Sequence, residues 1–228
     1  MGGDREIGGD RGVERDLGAE RDAAWARPFD EVDDYLRYVD GRSRLDGAAG
    51  FLASRGLPAT ERVVAAVAAD KERRFTERLR ERGVDAYPGT VRLLRALRGA
   101  GVPLAAASAS RHARELLERA EVLDMFDALV DGDEAARLRL PGKPDPALFL
   151  EAARRLAEPP EACAVVEDAL AGVEAGRRGG FGLVVGVDRT GGPGTGDALR
   201  RHGADVVVRD LAELIADTGI GAAEGGPS

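Results

Sequence analysis

Three short stretches of the chain carry side chains that could handle a phosphoryl group. Ser108-Ala109-Ser110 follows the apolar run 102–107. Hydroxyls and free backbone N–H groups at a strand-to-helix turn suit a phosphate, helped by the helix dipole. The same serines could instead cap the next helix. Lys143 lies in Pro141-Gly142-Lys143-Pro144-Asp145-Pro146, where Asp145 can N-cap the next helix and Pro146 suits its first position. An ammonium held in so stiff a loop can offset charge on a transferring phosphoryl group. The alternative is an exposed loop lysine. Glu167-Asp168 ends the apolar run 164–166. Adjacent carboxylates at a strand end are costly unless a cation neutralises them, and magnesium with oxygen ligands is the natural candidate. The competing reading is an acidic N-cap for the helix holding Ala171-Gly172-Val173.

The elements around these stretches must bring them together. From Tyr87-Pro88-Gly89 onward, short apolar runs (102–107, 128–130, 164–166, 183–187 and 206–208) alternate with helical patterns. The first helix carries Val91, Leu94 and Leu97 on one face. Short continuous apolar runs separated by helices signal parallel strands covered on both faces. A doubly wound α/β sheet is therefore expected, with its ligand site beyond the carboxyl ends of the strands, where all three stretches fall. Residues 25–84 read as a small all-helical cap, with Phe51, Leu52 and Leu57 in a shorter helix and turn. In it, Val64, Val67, Phe75 and Leu79 share a helical stripe interrupted by Lys71. The expected organisation is a polar segment over 1–24, the cap over 25–84, an α/β core over 85–218 and a frayed tail over 219–228. Asp131-Gly132-Asp133 reads as a solvated turn.

The bulk composition narrows the function classes. The 228 residues include 43% hydrophobic but only 4% aromatic side chains, so the core must be built mostly of Ala, Val and Leu. A net charge of -8 with scattered signs argues against a nucleic-acid surface. The single Cys163 excludes a disulfide framework. With no apolar run of membrane-spanning length and no signal-peptide pattern at the polar start, a cytoplasmic protein is expected, and a monomer.

Hydroxyl, then lysine, then acidic pair, each at a strand end, resembles the second, third and fourth motifs of the haloacid dehalogenase superfamily, matched by Ser108, Lys143 and Glu167-Asp168. The resemblance spans about 25–214 and is strongest to the β-phosphoglucomutases, in particular the bacterial branch associated with disaccharide phosphorylases. It is carried by Asp34-Tyr35-Leu36-Arg37-Tyr38-Val39-Asp40-Gly41-Arg42, Phe51-Leu52-Ala53-Ser54-Arg55-Gly56, Pro141-Gly142-Lys143-Pro144 and Val165-Val166-Glu167-Asp168-Ala169-Leu170-Ala171-Gly172-Val173. The resemblance implies Mg²⁺-dependent interconversion of β-glucose 1-phosphate and glucose 6-phosphate, or hydrolysis of a sugar phosphate. It implies Ser108 and Lys143 as catalytic residues and Glu167 and Asp168 as metal ligands. Arg44 matches the cap arginine that grips the distal phosphate, and Lys71 the cap lysine facing the sugar. Ala109, Ser110 and Arg111 fall among further phosphate contacts, and His112 stands where an Asn is common.

The family's first motif, an apolar strand ending in Asp-x-Asp-Gly, supplies the nucleophile and the acid/base. Here its frame falls on Gly9-Asp10-Arg11-Gly12, with Gly9 at the nucleophile and Arg11 at the acid. Loss of such a nucleophile typically costs on the order of 10⁴–10⁶ in rate. Because the strand's apolar character is gone as well, a misassigned start or a frameshift is expected in preference to an evolved sugar-phosphate-binding relative. A dehalogenase of the same fold needs no metal, which Glu167-Asp168 argues against.

Overall fold

The computed structural model describes residues 27–30 and 33–218, without the side chains of 80–82 and 216–218. The segment 1–24, with the Gly9–Gly12 frame, and the expected tail 219–228 lie outside the described residues.

The cap begins with a π-helical turn, Tyr35–Val39, followed by α1 (Arg44–Ser54) and α2 (Glu61–Arg82). Ser43 starts α1 by accepting the Asp46 N–H at 3.1 Å, the short-side-chain cap that a helix start requires. The two helices bury Ala48, Leu52 and Val64 between them, with Leu57 packed alongside. The α2 stripe differs from expectation in one place. Val67 is 42% exposed, and Ala68 is buried together with Val64 and Leu79. The stripe therefore runs from Val64 to Ala68, four residues on, in place of Val67.

The core continues with α3 (Pro88–Gly99), β1 (Ala105–Ala107), α4 (Ala113–Arg119), β2 (Ala128–Val130), α5 (Gly132–Leu138) and α6 (Ala147–Leu156). It closes with β3 (Ala164–Glu167), α7 (Leu170–Arg178), β4 (Leu183–Val187), α8 (Thr195–His202), β5 (Val206–Val208) and α9 (Glu213–Thr218). Among the described residues every strand pair is parallel. Alternation along β4 shows both faces covered. Val184 joins Val173, Ala175 and Leu199 of α7 and α8. Val185 and Val187 meet Leu93 of α3, with Leu214 and Ile215 of α9 alongside. Leu93 takes part in that contact in addition to the expected Leu97.

Among the described residues the strands form two parallel pieces, β1-β2 and β3-β4-β5, not one continuous sheet. Side chains bridge the pieces: Ala107 of β1 packs on the cluster that contains Phe149 of α6 and Val165 of β3. No helix among the described residues is long and apolar enough to cross a membrane.

Candidate active site

The ends of the strands carry the site. At the end of β1, the Ser108 N–H donates to Val130 O at 2.9 Å, which extends the pairing with β2 by one residue. Ser108 Oγ then accepts the Ser110 N–H, and Ser110 Oγ the His112 N–H, each at 3.2 Å. The hydroxyls fold the loop instead of capping α4, whose N-cap is His112 with no side-chain cap. Asp131 is not in a solvated turn, as its sequence suggests. It is buried and N-caps α5, accepting from the N–H groups of Asp133 and Glu134 at 3.1 and 2.9 Å. Beside it, a β-carbon at Gly132 would lie 2.6 Å from Ala109 O and 2.8 Å from Arg111 N. Only glycine lets the β2 end pack so closely under the Ser108 loop.

Lys143 is buried, which removes the exposed-lysine alternative. Its ammonium pairs with Glu167 Oε1 and lies 4.6 Å from the centre of the Phe149 ring. Asp145 assists the start of α6 one residue off the expected register, through Ala147 N–H at 2.9 Å, with Pro146 as the N-cap. Glu167 Oε2 accepts the Asp168 and Ala169 N–H groups at 2.8 and 2.9 Å. Neither acidic residue N-caps α7, whose N-cap is Ala169 with no side-chain cap. A side chain at Gly172 would collide with Glu167 Oε1, so this glycine makes room for the carboxylate.

The two carboxylates are electrostatically unlike. Burial works to raise the Glu167 pKa, but Lys143 and the two backbone N–H groups hold it below the usual range. Asp168 is pushed up, first by burial and then by the Glu167 charge, with Arg189 opposing. Its side chain is 54% exposed, and Arg189 Nε stands 3.7 Å away. Asp40, at the end of the π-helical turn, adds a third carboxylate. Burial, Asp168 and Glu167 raise its pKa to about 6. This end of β3 therefore holds more negative charge than Lys143 and Arg189 neutralise, which fits a cation held by oxygen ligands. Among the described residues, however, no three acidic or His/Cys side chains converge with metal-binding spacing.

On the cap, Arg44 Nε lies 3.0 Å from Glu72, and the guanidinium stacks 5.0 Å from the Phe75 ring centre. Lys71 is exposed and sits 5.7 Å from the Tyr35 ring centre. Burial and then Arg44 lower its pKa, against the pull of Asp40. Lys71 therefore feels the charges of both Arg44 and Asp40. Arg111 reaches outward to Asp133 at 3.4 Å and is exposed.

Sequence reasoning did not single out Asp40, Glu72, Asp131 or Arg189 as functional. For Asp40 a signal existed, since it sits inside one of the stretches that carry the family resemblance. For Arg189 the signal was its place just after the end of β4. Glu72 looks like any charge on a solvated helix face.

Helix-covered parallel strands, a buried lysine–carboxylate pair at their ends and a helical cap define a capped α/β enzyme. A model of the haloacid dehalogenase-like hydrolases matches residues 11–180, and the chain belongs to that family. It is 41% identical over 197 residues to the β-phosphoglucomutase of Mycobacterium bovis, covering 82% of this chain and 75% of the relative. It is 39% identical over 134 residues to the trehalose-phosphate phosphatase of Mycobacterium leprae, covering 57% of this chain and 29% of that protein. A haloacid dehalogenase family hydrolase from Deinococcus radiodurans, solved with bound phosphate and sodium, aligns with a TM-score of 0.59 at 30% identity, covering 92% of this chain and 90% of that one.

Proposed function

We propose that the chain acts on a sugar phosphate by Mg²⁺-dependent phosphoryl transfer, interconverting β-glucose 1-phosphate and glucose 6-phosphate or hydrolysing a related ester. The observation that carries this reading is the buried Lys143–Glu167 pair with Asp168 exposed beside it at the end of β3. Asp168 would hold the metal with Glu167, and a bound Mg²⁺ would supply charge stabilisation to the phosphoryl oxygens. Lys143 fixes the Glu167 carboxylate and offsets phosphoryl charge. Ser108 donates a hydrogen bond from its hydroxyl to a phosphoryl oxygen, while Ala109, Ser110 and Arg111 present the loop to it. Arg44 holds the distal phosphate, and Lys71 faces the sugar hydroxyls. The domain division favoured is a cap over 25–84 and a core over 85–218.

A second reading, binding without turnover, is favoured by one observation: the family's nucleophile and acid positions fall on Gly9 and Arg11. Calorimetry with glucose 6-phosphate and Mg²⁺, run beside an assay for glucose 1-phosphate consumption and phosphate release, separates the two. Saturable binding with turnover supports the enzyme, and binding without turnover supports the second reading. Absence of binding overturns both.

A further inference from the structure

Glu72 divides its carboxylate between cap and core. Oε2 lies 3.0 Å from Arg44 Nε within the cap, as an ion pair without an aligned hydrogen bond. Oε1 meets Nε2 of His112, a core residue. The His112 Nδ1 stands 3.2 Å from Glu115 Oε2 on α4, so both ring nitrogens face carboxylates. The His112 ring also lies 5.3 Å from the Phe75 ring, the same ring on which Arg44 stacks. Finally, the His112 backbone N–H is bonded to Ser110 Oγ in the phosphate-suited loop. A continuous chain of contacts therefore runs Arg44, Glu72, His112, Ser110, from cap to core.

This arrangement has a physical consequence. An arginine engaged through Nε keeps its two Nη groups available as a planar fork for a phosphate. Fixing that fork before the ligand arrives removes ordering cost from binding. Stability is a poor explanation for the contact, since Glu72 is 39% exposed and such pairs contribute little to folding. We propose that Glu72 and His112 are positioning residues, which aim Arg44 at the distal phosphate and do so only when the cap is docked on the core. The phosphate role of Arg44 rests on the function proposed above; the cap–core latch does not.

The latch is tested without ligand. Spin labels at exposed Ala65 on α2 and Glu118 on α4 (Ala65→Cys, Glu118→Cys, with Cys163→Ser) report the cap–core distance in the full chain. Glu72→Gln and His112→Phe, the latter keeping the ring contact but losing the donor, should each broaden the distance distribution. The double variant should add nothing further, and His112→Gln, which retains a donor, should stay near wild type. An unchanged distribution in both single variants overturns the latch. In calorimetry, Glu72→Gln and His112→Phe should weaken glucose 6-phosphate binding by about tenfold, with melting temperatures nearly unchanged. Unchanged affinity overturns the positioning of Arg44. A wild-type chain that does not bind glucose 6-phosphate counts against the sugar-phosphate function, while the distance measurement still decides the latch.

Discussion

Lys143 and Glu167 have side chains only 5% and 9% exposed, and that burial makes each depend on the other. Removing one member of a buried ion pair strands the other charge away from water. Lys143→Met should destabilise the fold by about 3–5 kcal/mol in urea unfolding, and adding Glu167→Gln should recover most of the loss. The opposite sign is expected at Asp40. Its folded pKa of about 6 stands above the ordinary 3.8. The folded state therefore holds the proton more tightly, so this group makes no difference at low pH and destabilises progressively as pH rises from about 4 to 6. Asp40→Asn should raise stability at pH 7.5 by about 1 kcal/mol after solvent screening, and the gain should vanish below pH 4. Melting curves across that range check it, and Mg²⁺ should narrow the gap if the ion neutralises the same carboxylates.

At the scale of elements, the site depends on how each strand hands over to its helix. The β2 end turns into α5 through Asp131, which caps the helix while Gly132 holds up the Ser108 loop. Asp131→Ala should cost about 1 kcal/mol in thermal unfolding. Gly132→Ala should cost more, because the new methyl meets backbone and not a movable side chain. A loss in Gly132→Ala no greater than in Asp131→Ala would show that the loop gives way freely. Helix periodicity located most of these elements, yet on α2 it chose Val67 where Ala68 is the buried residue. The face chosen depends on which neighbour, α1, the helix must approach.

Across the whole molecule, buried charge also ties the cap to the chain entering it. Arg55 pairs with Asp34 and donates to Arg27 O at 3.0 Å, so one guanidinium fastens α1, the π-helical turn and the incoming backbone. The Asp30 N–H, then Arg27 and Arg55, hold the Asp34 pKa below its ordinary value despite burial. A depressed carboxylate stabilises above about pH 4, and that stability is lost as pH falls through the folded pKa. Arg55→Met should lower the melting temperature by about 5 °C or more and weaken the acid dependence. Equal acid dependence in variant and wild type would remove Asp34 from the account.

The order of apolar runs and the residues at their ends were enough to define parallel strands, a helical cap and the strand ends near which Ser108, Lys143 and Glu167-Asp168 lie. Those features depend on periodicity and local spacing, which a sequence carries directly. The structure alone decided that Lys143 is buried on Glu167, that Asp40 joins the acidic end of β3, and that Glu72 and His112 link Arg44 to the Ser108 loop. It also decided that the described strands form two pieces. Each of these is a pairing between residues distant in the chain, set by how cap and sheet pack. Charge and polarity of single residues do not encode their partners.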